Sequence, residues 1–340
     1  MATLTHPAFR TLVSEYGGCD LYVSEMISAE ALLGGTPFEH TYRDARPEPG
    51  ALVYQLVGRS ADTIVEAARR LADEPVHGID VNMGCSAPQI AKRGAGVTWM
   101  QYPAEAARLI ARLRGVAPGL KISAKFRLGA GTDATALSPF ARALEEAGAD
   151  ALTLHPRYRR QSYSRPSHWR YLTELRQTVG LPVYGSGDVT DRATFEAMLE
   201  RTGVDGVMIG RAAAQKPWLF AELAAASAGG TPRRDGLSAG PGATLQAGPG
   251  VQTGSIDLAA VAARFHELLE AMQPAEFLLS RARRFHAYFL KNLAFGHRLS
   301  AQVQQIESYE GVREHVRAYF EKHPEYREVP LATGRERVHA

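Results

Sequence analysis

Seven short runs of apolar and β-branched residues recur along the chain: Leu21 to Glu25, Leu52 to Val57, Ile79 to Met83, Lys121 to Phe126, Ala151 to His155, Val183 to Ser186 and Gly206 to Ile209. Between them lie segments with apolar residues at helical spacing, among them Ala61 to Asp73, Ala104 to Leu113, Leu137 to Ala147, Thr190 to Glu200 and Pro217 to Ala226. Parallel strands need long crossovers, so strand-helix alternation at this pitch predicts a parallel sheet. The expected fold class is α/β, a (β/α)8 TIM-type barrel. One of its eight strands is missing. A helix-patterned segment, Pro7 to Tyr16, begins a few residues after Met1, so the missing strand is expected to be the first.

From Ala228 to Ser255 the composition turns to Gly, Pro, Ser and Thr. Such a stretch buries too little apolar surface to offset the entropy of ordering it. Beyond it Ile256, Leu258, Val261, Phe265, Leu268 and Met272 recur at helical spacing, and further helical stretches run from Glu276 to Leu293 and from Tyr309 to Lys322. The domain reading is therefore a barrel over 1–227, a flexible linker over 228–255, a C-terminal helical bundle over 256–325 and a tail over 326–340.

Two cysteines, Cys19 and Cys85, occur in 340 residues. That argues against a disulfide framework or a cysteine-built metal site, and no metal is expected. No apolar run reaches the roughly 18 residues a membrane span needs, and no basic-then-apolar leader opens the chain, so a soluble, cytoplasmic protein is expected. A formal net charge of +3 permits an anionic partner without demanding one. Nothing points to a membrane or protein partner.

In a barrel of this type the chemistry sits where strands end. Those ends here offer Ser24 and Glu25, Gln55, Asn82 with Cys85, Lys125 with Arg127, His155 with Arg157, Ser186-Gly187-Asp188 and Gly210-Arg211. Any one of these residues has a structural explanation, but the repetition across seven strands points to a shared pocket. Gly185-Ser186-Gly187-Asp188 and Gly210-Arg211-Ala212 suit a phosphate, because glycine lets backbone N–H groups approach it and Arg211 adds a bidentate cation. Lys125 needs an anionic partner if buried, and a reduced flavin, negative around N1 and O2, supplies one. Gln55 can add a directional hydrogen bond to the same ring. Cys85 follows a strand in a polar loop without a metal set or triad partner, so proton donation fits it better than hydrolysis. Cys19, beside Gly17-Gly18, is read as structural.

At these residues the sequence resembles the tRNA-dihydrouridine synthase family. The resemblance is carried by Thr5-His6-Pro7-Ala8-Phe9-Arg10, Ser24-Glu25-Met26, Asp80-Val81-Asn82-Met83-Gly84-Cys85, Gly94-Ala95-Gly96, Lys125-Phe126-Arg127-Leu128-Gly129, His155-Pro156-Arg157, Gly187-Asp188-Val189 and Asp205 to Ala212, in the family's order. Arg284 to Lys291 resembles its helical domain. The resemblance implies FMN as prosthetic group and NADPH as electron donor, with hydride passing from the flavin to C6 of uracil and Cys85 protonating C5. It implies further that Met1, Ala2, Gln55, Lys125, His155, Ser186, Gly187, Asp188, Gly210 and Arg211 hold FMN, while Asn82 and Arg127 face the uracil. The chain departs from the family in Ser86, Ser186, His6, the Val97-Thr98-Trp99-Met100 loop and the missing first strand.

A uracil stacked in folded RNA is out of reach of a barrel pocket, so tRNA would be met at an extruded or unpaired base. His155 to Tyr171 interleaves Arg157, Arg159, Arg160, Arg165 and Arg170 with Tyr158, Tyr163, Trp169 and Tyr171, a mix suited to phosphates and stacked bases. A second cluster, Arg281, Arg283, Arg284, Lys291 and Arg298, has no acid between Glu276 and Glu307. Arg157, Arg159, Arg160, Arg283, Arg284 and Lys291 are the expected RNA contacts. Two other readings stay open: a flavin barrel acting on a free pyrimidine, and a catalytically silent RNA-binding barrel.

Overall fold

The computed structural model describes residues 1, 3–129, 134–227 and 248–331. Its strands are β1 (Tyr22–Ser28), β2 (Leu52–Val57), β3 (Gly78–Met83), β4 (Lys121–Phe126), β5 (Ala151–Leu154), β6 (Val183–Ser186) and β7 (Gly206–Met208). All seven pair in parallel and in chain order. That is the topology of a TIM-type barrel one strand short. β2 and β3 are buried along their whole length, as strands covered on both faces must be. At the two ends of the order, β1 alternates between buried and part-exposed residues and β7 is part-exposed throughout.

Helices Ala61–Leu71, Pro103–Val116, Leu137–Glu146, Arg170–Thr178 and Arg192–Thr202 fill the crossovers. Each forms because its apolar residues repeat at three and four; in the first, Ile64, Val65, Ala68 and Leu71 make the buried stripe. The last starts on a reciprocal cap between Asp191 and Thr194 and stops at Gly203, whose φ of +68° is left-handed. Arg170–Thr178 overlaps the end of the stretch His155 to Tyr171 that the sequence marked for phosphates and stacked bases.

The strand register stacks the polar residues in layers. Gln55 pairs with Asp80 and Asp80 with Ser123; one layer up, Asn82 pairs with Lys125 and Lys125 with Thr153. Because strand side chains alternate, Asp80 and Asn82 share a face of β3, and Ser123 and Lys125 share a face of β4. β1 carries an irregularity between Val23 and Met26, and there the Ser24 hydroxyl accepts the backbone N–H of Gln55 at 3.0 Å.

By contacts the chain divides into two units: residue 1 with 21–210, and residues 3–20 with 211–227 and 248–331. This division differs from the expected barrel over 1–227. Helix Pro7–Ser14 packs on helix Leu258–Met272, Arg264 pairs with Glu15 on the residue after it, and Gly18 lies so close to Phe220 that a Cβ would stand 2.4 Å from its carbonyl oxygen. The second unit also holds helices Ala275–Phe289, Gly296–Gln305 and Tyr309–Lys322 around Phe265, Phe285 and Phe289, with ring centroids 3.8 and 4.9 Å apart along that order.

The expected linker and tail are corrected where they are described. β8 (Val251–Gln252), β9 (Ser255–Asp257) and β10 (Glu328–Pro330) form a small antiparallel sheet, so residues 251, 252, 255 and 328–330 are paired strand, with 253–254 as the turn. Linker residues 228–247 and tail residues 332–340 lie outside the described residues, as does Ala2. Among the described residues no helix is long and apolar enough to cross a membrane.

Candidate active site

Asp80, 3% exposed, sits in the lower of the first unit's polar layers. It accepts hydrogen bonds from Gln55 Nε2 and Ser123 Oγ, each at 2.8 Å. Burial pushes its carboxyl up to about 6, against the pull of those two donors and of Lys125. Burial likewise brings the Lys125 ammonium down to about 8; Asp80 opposes that shift, Arg127 adds to it, and Cys85 opposes it. Among the described residues no hydrogen bond reaches the Lys125 ammonium. An enclosed cation with only through-space support suits an anionic ligand group such as the pyrimidine edge of a reduced flavin.

Gln55 and Asn82 have much of their hydrogen-bonding capacity already committed. Gln55 Oε1 accepts from Asn82 Nδ2 at 2.8 Å, and Asn82 Oδ1 accepts the backbone N–H groups of Gly84 at 3.1 Å and Cys85 at 2.8 Å. Asn82, expected to face substrate, thus shapes the turn that carries Cys85. Each amide retains one N–H for a ligand. The other side of Cys85 is held too: its carbonyl accepts from Val97 N at 3.0 Å, and Gly96, at φ +61°, comes so near that a Cβ would stand 2.5 Å from that oxygen. Cys85 itself is half-buried.

His155 lies just past β5. The Arg157 guanidinium, which can only donate, reaches its Nε2 at 2.7 Å, so the ring proton sits on Nδ1. Burial, then the cations of Lys125, Arg127 and Arg157, hold the imidazole neutral, far below its usual pKa. Arg157 also bonds both Asp188 oxygens, at 2.6 and 2.8 Å, and is 0% exposed. This corrects the expectation that Arg157 meets RNA: it is a buried clamp. Asp188 takes φ +62° and accepts Ser167 N at 2.6 Å, while Trp169 Nε1 donates to the Gly187 carbonyl at 3.1 Å. Gly187, at φ +117°, tolerates no side chain, since a Cβ would stand 2.9 Å from the His155 ring. Ser186, Gly187, Asp188 and His155 thereby make a glycine-floored cradle with a neutral imidazole beside it, which suits a phosphate.

Met1 lies against Gly210, past the end of β7. Arg211 is exposed, opens helix Arg211–Gln215 and is counted with the second unit. Arg127 is 6% exposed; its Nη2 donates to the Tyr163 hydroxyl at 2.8 Å, and Tyr163, 53% exposed, stacks on His155 at 6.0 Å. Arg159 is part-buried and Arg160 exposed.

The second unit's cationic cluster splits by depth. Arg281 is buried and bonds Gln273, and Arg283, one of the expected RNA contacts, is part-buried with a bond to the Ile306 carbonyl, so these two members of the cluster serve packing. Arg284 and Lys291 are exposed and sit 5.2 and 5.3 Å from the Tyr288 ring; Arg298 lies over Phe295, itself 54% exposed. Sequence reasoning missed Asp80 and Ser123. The available signal was their two-residue spacing from Asn82 and Lys125.

The family model for dihydrouridine synthase (Dus) matches residues 1–322. The chain belongs to that family. A probable tRNA-dihydrouridine synthase of Rhodobacter capsulatus is 36% identical over 227 residues, 66% of this chain and 69% of that protein. The tRNA-dihydrouridine synthase B of Escherichia coli is 32% identical over 223 residues, 66% of this chain and 69% of that protein. A tRNA-dihydrouridine(47) synthase [NAD(P)(+)] of Cryptococcus neoformans is 33% identical over 241 residues, and the match spans 33% of its length. Among solved structures, the old yellow enzyme homologue of Zymomonas mobilis matches with a TM-score of 0.42 and 13% identity, over 63% of this chain and 82% of that one.

Proposed function

We propose that the chain reduces uridine in tRNA to 5,6-dihydrouridine. Family membership supports the reaction, as do the activities for which the bacterial relatives are named. The observation that carries the reading is the convergence of Lys125, Asp80, Gln55, Asn82 and the Cys85 turn on adjacent strands β2 to β4. When bound, FMN would supply a hydride to C6 of the uracil and regain its electrons from NADPH.

The chain's own residues have separate tasks. Lys125 would hold the negative pyrimidine edge of the flavin, with Gln55's remaining N–H beside it. Gly187, Ser186 and Asp188, with His155, would hold the phosphate, joined by Gly210, and Met1 would contact the flavin through its backbone. Cys85 would deliver its thiol proton to C5 as hydride arrives at C6, so the C5–C6 double bond gains one hydride and one proton; the thiolate regains its proton from water. Asn82 and Arg127 would orient the uracil, the first through its free N–H. Arg159, Arg160, Arg284 and Lys291 would meet phosphates. Arg157 and Arg283 act on binding only through the groups they hold.

The test is incubation of the purified chain with FMN, NADPH and tRNA lacking dihydrouridine, followed by mass spectrometry of the nucleosides. Dihydrouridine is expected at one or a few positions. Reduction of free uracil or orotate instead would favour a small-molecule enzyme, and tRNA binding without bound yellow chromophore would favour a silent binder.

A further inference from the structure

We propose that Asp80 is a positioning residue whose carboxylate fixes the direction of an amide relay through Gln55 and Asn82, and so sets the backbone turn from which the Cys85 thiol is presented. An amide side chain can present either its oxygen or its nitrogen to a neighbour, and nothing in an isolated Gln or Asn chooses between them. Here both ends of the relay have a polarity that cannot reverse. At one end an ionised carboxylate only accepts, which turns Gln55 Nε2 towards Asp80 and Oε1 towards Asn82. At the other end the backbone N–H groups of Gly84 and Cys85 only donate, which demands Asn82 Oδ1. The two ends agree, and the Ser123 hydroxyl donates to the second Asp80 oxygen.

Asp80, Gln55 and Asn82 are each less than a tenth exposed, so water does not readily replace a lost link. Removing the acceptor at Asp80 frees Gln55 to turn over. Its nitrogen would then face the nitrogen of Asn82, and Asn82 could relieve that clash only by withdrawing its oxygen from the Cys85 N–H. The carboxylate thus governs the Cys85 turn from three side chains away. The catalytic meaning rests on the role proposed above for Cys85; the relay does not.

The experiment is hydrogen exchange at the Gly84 and Cys85 amides of the full chain, with strand amides of β5 as internal reference. Asn82→Ala should speed exchange there by about tenfold and Asp80→Ala by nearly as much, while the double variant should be no faster than Asn82→Ala alone. Asp80→Asn should exchange like the wild type, because the new side-chain carbonyl still accepts from Gln55 and its amino group can donate to the Ser123 oxygen. If Asp80→Ala does not fold, Gln55→Met cuts the same relay one link nearer the thiol. Additive effects in the double variant, a fast Asp80→Asn, or faster exchange across the whole sheet would overturn the proposal. With tRNA and reductant present, Asp80→Ala should lower kcat by about tenfold and leave the KM for tRNA unchanged. If no variant or wild type makes dihydrouridine, the proposed function fails while the exchange cycle still decides the relay.

Discussion

Arg157 keeps a full positive charge entirely out of water, which is tolerable because both Asp188 oxygens and His155 Nε2 receive its protons. Arg157→Ala would strand Asp188 and should cost about 3–5 kcal/mol in urea unfolding, whereas the exposed Arg160→Ala should cost under about 0.5 kcal/mol. Equal stability of the two variants would return Arg157 to the surface role its sequence suggested. Lys125 makes the complementary prediction. Its ammonium loses its proton near pH 8, so FMN binding, followed by flavin fluorescence quenching, should weaken as pH rises past that value. Lys125→Gln should bind FMN weakly and without this pH dependence. Lys125, Gln55, Asn82 and Cys85 were legible as polar residues at apolar strand ends. The depth of Arg157, Arg281 and Arg283 was not, because a run of arginines reads the same whether its members face water or a buried carboxylate.

In the second unit, His266 of helix Leu258–Met272 and His286 of helix Ala275–Phe289 face each other with their Nε2 atoms 3.1 Å apart. His266 Nδ1 meets the Tyr309 hydroxyl at 3.1 Å, and that hydroxyl donates to Glu270, which Arg313 also pairs. Burial lowers His266 to about 4 and holds His286 well below the usual 6.5. The unfolded chain therefore takes up protons near pH 6.5 that folded His266 refuses until near 4, and His286 resists protonation in the same direction, so stability should fall as pH drops through that window. For His266 alone the loss is on the order of 3 kcal/mol. Unfolding followed by circular dichroism across pH 7 to 4 should show it, and His286→Leu should flatten the dependence. A pH-independent midpoint would mean the pair is not neutral. Helices Leu258–Met272, Ala275–Phe289 and Tyr309–Lys322 were legible here from their periodicity, and Gly296–Gln305 was not. The small antiparallel sheet was not, because two- and three-residue strands in Gly- and Pro-rich sequence carry no period to read.

For the molecule as a whole, partner choice rests on exposed charge rather than on the net +3. Arg284, Lys291 and Arg298 are exposed and each lies against an aromatic ring, an arrangement that serves both phosphates and unpaired bases. Replacing all three by alanine should reduce the slope of log affinity for tRNA against log salt by about 2–3. An unchanged slope would place RNA elsewhere. The parallel order of β1 to β7 was fully legible in the strand-helix alternation; the grouping of helix Pro7–Ser14 with the C-terminal helices was not, since contacts between distant segments leave no local pattern.

As proposed above, Cys85 would hand a proton to the uracil while hydride arrives at the neighbouring carbon. The most direct measurement is a single turnover of the chemically reduced chain with tRNA in deuterium oxide, reading label positions in the dihydrouridine formed. Deuterium is expected at C5 from the exchanged thiol and at C6 as well, because the N5 hydrogen of a reduced flavin also exchanges with solvent, and Cys85→Ala is expected to lose about 100-fold or more in rate. An absence of deuterium at C5, or turnover by Cys85→Ala at the wild-type rate, would contradict the proposed proton transfer.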